Sequence, residues 1–183
     1  MKKNILITGS GFLATAVIKK LSSDPRYNLF ILTRSMPQDP FLSESIQSGA
    51  VRLLLADLTD REKVSAYTEE LASINYLIHL ASYIPQSPAE DFFHSARENF
   101  NNNILGTVNL LELVKNVQYI CFSSSVSVYP QQTSGTFTEE MPTGPQTNFY
   151  GLSKLVVENL LVNYANIHHL PVTLLRVTQL YGP

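Results

Sequence analysis

"ILITGSGFLATAVIKKL", residues 5–21, decides how the chain folds. An apolar run ends at Thr8, two glycines follow, and Leu13, Ala14, Val17, Ile18 and Leu21 then recur at helical spacing. The pattern reads as a strand that turns directly into a helix over about Phe12 to Leu21. Gly9, Gly11 and Ala14 stand in a G-x-G-x-x-A arrangement at the join. Gly9 permits the tight turn, Gly11 lets backbone N–H groups approach an anion without a Cβ in the way, and Ala14 is small enough for the helix to pack on the strand. A phosphate placed there meets the first N–H groups of the helix, at Phe12 and Leu13, and the positive end of its dipole. Taken alone, such a motif is as readily a structural turn. Its place at the first strand of a β–α series makes it a phosphate site.

That series runs from end to end. "NILIT" (4–8), "LFILT" (29–33), "VRLLLA" (51–56), "YLIHLA" (76–81), "QYICFSS" (118–124) and "VTLLRV" (172–177) read as strands. Several are apolar at nearly every residue, as expected when both faces of a parallel sheet are covered. Helical patterns lie near 60–72, in a long stretch ending near Lys115, and in "NFYGLSKLVVENLL" (148–161). Repeated β-then-α units predict an α/β fold with a doubly wound parallel sheet in one domain, residues 1–183. The longest loop-like stretch, 129–148, is rich in Thr, Pro, Gly and Gln, and loops of that length are often functional.

Bulk properties exclude several classes. Of 183 residues, 44% are apolar and 15% charged, which suits a globular chain and not a disordered one. The formal charge of -2 leaves no electrostatic footprint for nucleic acid. No stretch approaches the roughly 20 apolar residues of a membrane span. "MKKNILITGSGFLATA" imitates an export signal, but Asn4, Thr8, Gly9, Ser10 and Gly11 break its apolar run. The lone Cys121 lies in an apolar strand and reads as a reduced, buried thiol in a cytoplasmic protein. His79, inside an apolar strand, reads as a core histidine. His94, His168 and His169 show no metal-ligand spacing, so no metal is expected.

The second strand ends in "LFILTRS", with Thr33 and Arg34 where a dinucleotide fold that prefers NAD carries an acid for the ribose 2′-hydroxyl. Arg34 can pair with a 2′-phosphate, so the reading is NADP, with NAD as the alternative. After the third strand, Asp57 and Leu58 are candidates to meet the adenine, a turn aspartate being equally plain for Asp57. On the 148–161 helix, Tyr150 and Lys154 fall one turn apart on one face. A lysine ammonium beside a phenol favours the phenolate, so Tyr150 is expected to be acidified and to exchange a proton with an alcohol or carbonyl. Lys154 is expected to donate to ribose hydroxyls as well. Ser123, Ser124 and Ser125 fall at the carboxyl end of the fifth strand, where open α/β sheets place ligands; the plain alternative is local bonding to backbone.

"TGSGFLA", "ADL", "IHLAS", "NILGTVNLLE", "FSSSVSVY", "YGLSK" and "LRVTQLYGP" occur in an order and spacing that resembles the extended short-chain dehydrogenases/reductases, the group called NAD-dependent epimerases/dehydratases. The resemblance covers essentially the whole chain. It implies a Rossmann fold and a catalytic set of Ser125, Tyr150 and Lys154, with Asn103 in support. It also places Leu80, Ala81 and Ser82 under the nicotinamide ribose. The implied enzyme is an epimerase or reductase moving hydride on a nucleotide sugar, in a family whose catalytic helices often pair in homodimers. Ala14, the Thr33–Arg34 pair and Val177 depart from the family pattern. The serine triplet differs from the Thr and two acids of 4,6-dehydratases, which disfavours dehydration. Relatives continue well past "YGP", so the expectation is a fragment without the substrate domain. A non-catalytic NADP-binding sensor or protein-interaction module is the reading from another class.

Overall fold

The structure, a computed structural model, describes residues 2–85, 87, 90–130, 136–146 and 148–181. Six strands form one parallel sheet: β1 (Lys3–Thr8), β2 (Tyr27–Thr33), β3 (Val51–Leu55), β4 (Tyr76–His79), β5 (Tyr119–Ser125) and β6 (Val172–Val177). Their order is β3-β2-β1-β4-β5-β6, with every pairing parallel. Because β1 pairs with β2 on one side and β4 on the other, the chain changes direction across the sheet at the carboxyl ends of β1 and β4. A crevice opens at such a point.

Alternating residues send apolar side chains to both faces. Ile5, Ile7, Leu29 and Ile31 pack with Ala14 and Ile18 of α1 (Phe12–Leu21) and Leu42 of α2 (Pro40–Gln47). Leu6, Phe30, Leu32 and Phe122 pack on the opposite side. There they meet α3 (Arg61–Ser65), α4 (Thr68–Ala72), α6 (Gly106–Leu111) and α7 (Phe149–His168). Cys121 of β5, read from its apolar strand as buried, is only half-buried. No helix among the described residues is long and apolar enough to cross a membrane.

Four departures from the sequence reading have local causes. The 60–72 pattern is two helices, and the break sets Tyr67 so that its hydroxyl accepts from Leu55 N–H at 3.1 Å. Helix α2 was not anticipated, although Asp39 caps it through Leu42 N–H at 3.1 Å and Pro40 opens it. The helix before Lys115 runs from α5 (Phe92–Glu98) through a π-helical segment (Asn99–Leu105) into α6. Strand β4 stops at His79 because the N–H groups of Leu80 and Ala81 turn to Thr8 Oγ1, both at 3.0 Å.

That threonine fixes a buried relay. With two N–H groups on its oxygen, the Thr8 hydroxyl donates to His79 Nδ1 at 2.8 Å. His79 Nε2–H therefore donates to Thr107 Oγ1 at 2.9 Å, and Thr107 donates to the Asn103 carbonyl at 2.6 Å. His79 is a core histidine, as its apolar strand implied. Burial, aided by the Lys154 charge, pushes its pKa from 6.5 down to about 3. The unfolded chain then takes a proton near pH 6.5 that the folded chain refuses. Stability from this group is complete above 6.5 and is lost as pH falls toward 3, by about 1.4 kcal/mol per pH unit. Urea unfolding between pH 7 and 5 should show that slope, and His79→Gln should flatten it; equal slopes in the two proteins would contradict the assignment.

Candidate active site

Two adjoining hollows of about 380 and 410 Å³ lie at the carboxyl edge of the sheet and share Gly9, Gly11, Leu80, Ser82 and Ile84. Together they form one crevice across the switch point. Gly9 turns with φ +85°, a conformation that strains other residues, and an added Cβ would press on Ala81 Cα at 3.3 Å. Helix α1 begins without a side-chain cap. Phe12, Leu13 and Ala14 of its first turn line the crevice. The glycine turn thus has the geometry its spacing predicts.

In the second hollow, Arg34 and Ser35 follow the end of β2, with Ser10 Oγ 3.1 Å from Thr33 Oγ1. Asp57 and Leu58 line the opposite wall. Asp57 Oδ1 is engaged by the N–H and hydroxyl of Thr59 at 2.9 and 2.8 Å, so the turn role is real, and the residue also faces the crevice. Ala81 and Tyr83 complete this wall, the Tyr83 phenol donating to Glu90, which pushes its pKa up to about 12.

Tyr150, Lys154, Ser123 and Ser124 line the first hollow. Asn148 caps α7 by accepting from Gly151 N–H at 2.7 Å, fixing the turn that carries Tyr150. Lys154 is 2% exposed. Its ammonium donates to the Ser123 carbonyl at 2.7 Å and stands 4.6 Å from the Phe122 ring and 5.6 Å from the Tyr150 ring. Ser125 does not line the hollow. Its Oγ accepts from Ser127 N–H at 3.1 Å and donates to Ser127 Oγ at 3.1 Å, and it lies close enough to the Tyr150 phenol to influence it.

The electrostatics correct one expectation. Burial raises the Tyr150 pKa above its ordinary value of 10, and the Ser125 hydrogen bond only partly offsets this. Acidification by Lys154 is absent because the lysine is itself desolvated, its pKa falling from 10.5 to about 7 despite the raising effect of Glu158. In the chain by itself, the phenol is a proton donor at neutral pH.

Asn103, expected in support of the catalytic set, stands outside the crevice. It is buried, lines neither hollow, and holds the loop after β4 from behind. Its Oδ1 accepts from Tyr83 N–H at 2.6 Å and Ser82 Oγ at 3.1 Å, and its Nδ2 lies 2.9 Å from Ser153 Oγ. Ser153 donates to the Tyr150 carbonyl at 2.8 Å, which links the loop to the first turn of α7. Ser153, Thr8, Glu158 and Arg176 escaped the sequence reading. Glu158 alone had a local signal, lying four residues beyond Lys154 on the same helix.

The sequence model of the NAD dependent epimerase/dehydratase family matches residues 5–183, and the chain belongs to that family. It is 34% identical over 139 residues to a UDP-glucose 4-epimerase of Mycoplasma genitalium, covering 72% of this chain and 39% of that protein. It is 28% identical over 192 residues to UDP-glucuronate 4-epimerase 4 of Arabidopsis thaliana, covering 98% and 42%. Among solved structures, it is similar to UDP-glucose 4-epimerase from Bifidobacterium longum in complex with NAD+ and UDP. There the TM-score is 0.79 at 29% identity, over 95% of this chain and 52% of that one. The chain spans about half, or less, of the length of these proteins.

Proposed function

We propose that the chain binds NAD(P) in the crevice and supplies the proton-transfer groups of a nucleotide-sugar epimerase or reductase. One observation carries this reading: Tyr150 and Lys154 share a hollow with the uncapped start of α1. The family's crystallised relative with NAD+ and UDP supports the ligand classes. Bound nicotinamide supplies the acceptor or donor of hydride. The phenol of Tyr150 holds the proton that moves on and off the substrate oxygen. Ser125, close to the phenol, is proposed to assist by orienting that hydroxyl. Lys154, which lines the same hollow, would hold the ribose of a bound cofactor, and Asn103 steadies Ser82 on the shared wall. Exposed Phe92, Phe93 and Phe100 beside α7 suit a homodimer contact, and the cytoplasm suits such chemistry.

The test is to supply UDP-sugars with NAD+ or NADP+ and follow both sugar products and absorbance at 340 nm. A 4-epimer without net reduced cofactor identifies an epimerase, and equimolar reduced cofactor identifies a dehydrogenase. Cofactor binding with neither product supports a sensor module instead.

For the cofactor we propose NADP, with NAD as the alternative that the Bifidobacterium relative favours. Arg34 lines the ribose side of the crevice and makes no ion pair among the described residues. Arg34→Ala should weaken NADPH binding about tenfold, roughly 1.4 kcal/mol, and leave NADH unchanged. Fluorescence titration checks this, and tighter NADH binding by the unmodified chain would overturn it.

A further inference from the structure

We propose that Glu158 is a positioning residue for this site: held by Arg176 and Ser124, its buried carboxylate clamps the end of β5 against α7 one helical turn beyond Lys154 and acts on that ammonium from there. The inference rests on the reading above only in taking Lys154 as part of the site.

Tyr150, Lys154 and Glu158 follow one another at intervals of four along one face of α7. Glu158 is 3% exposed. Its Oε1 accepts from Ser124 Oγ at 2.5 Å and Arg176 Nε at 3.0 Å, and its Oε2 from Arg176 Nη2 at 2.8 Å. Ser124 adjoins Ser123, whose carbonyl receives the Lys154 ammonium. One carboxylate therefore joins three elements, α7, β5 and β6, directly behind the proposed proton-transfer groups. Arg176 Nη1 extends the connection to the Tyr129 hydroxyl at 2.9 Å and the Glu139 carbonyl at 3.3 Å.

Stability alone does not account for this arrangement, since apolar replacements of buried ion pairs are often neutral or stabilising. The charges give a second reason. Arg176 takes both carboxylate oxygens, so Glu158 offsets only part of what burial costs the Lys154 ammonium, whose pKa lies near 7. The other groups facing Lys154 are the neutral phenol of Tyr150 on the same helix and neutral His79 on β4. Removing the carboxylate takes away the charge that offsets the burial of Lys154 and leaves the Arg176 guanidinium without its partner. Removing the guanidinium frees the carboxylate for Lys154. The two changes must therefore move Lys154 in opposite directions, whereas loosened packing would admit water and move it upward in both.

The experiment is an NMR titration of the 183-residue chain labelled with 13C-lysine, with Lys154→Met assigning the signal. Glu158→Gln should lower the Lys154 midpoint by about one pH unit or more, and Arg176→Met should raise it by a similar amount. Arg176→Lys, which keeps the charge, should hold it within a few tenths. Shifts of one sign in the first two variants, no shift in either, or an Arg176→Lys shift as large as that of Arg176→Met overturns the proposal. Should Glu158→Gln fail to fold, the two Arg176 variants decide. The titration needs neither cofactor nor substrate, so its failure leaves the hydride-transfer reading standing, and the reverse holds too.

Discussion

In any protein carrying these residues that turns over a nucleotide sugar, a full-length version included, Tyr150→Phe is expected to lower kcat by about a hundredfold to ten-thousandfold, the range that a positioned acid or base contributes. Phenylalanine keeps the ring that stands 5.6 Å from the Lys154 ammonium and loses only the hydroxyl beside Ser125. Folding and NADPH affinity should therefore change little, and the loss should fall on kcat. The acid or base that remains in the same hollow near neutral pH is Lys154, and its ammonium is turned to the Ser123 carbonyl. The measurement is steady-state turnover beside a cofactor titration. Turnover within threefold of the unmodified protein removes Tyr150 from the mechanism.

A second large effect is expected one residue further on. In most helices Gly→Ala gains about 1 kcal/mol. At Gly151, in the first turn of α7, a Cβ would lie 2.3 Å from the Ser127 carbonyl oxygen and 2.7 Å from Gln146 Oε1. The first obstacle is backbone, so the helix start itself must move. Gly151→Ala should destabilise the fold by about 1–3 kcal/mol. It should also cost about a hundredfold in kcat, since a displacement near 1 Å at a reacting group has that scale. Urea unfolding and turnover assays check the two effects, and a variant both more stable and fully active would refute the packing argument.

How much of this was legible beforehand depends on distance along the chain. The strands, the glycine turn at Gly9 and Gly11, and the Tyr150–Lys154 pair were readable because each rests on residues within a few positions of one another. Helix α2 carries a start signal in Asp39 and Pro40, but Phe41, Leu42 and Ile46 make an apolar pattern too short to mark it as a helix. The Thr8–His79–Thr107 relay was not, because its members stand 71 and 28 residues apart. The Glu158–Arg176 clamp and the hold of Asn103 on Tyr83 likewise join separate elements.

Periodicity and local spacing thus determined the sheet, its helices and the residue types at the crevice. Tertiary structure decided the electrostatic character of those residues. Lys154 spacing predicted an acidified phenol, yet burial raises Tyr150 and depresses Lys154, and burial is set by what packs on a side chain from other elements. Desolvation belongs to the folded neighbourhood and leaves no mark on the order of residues.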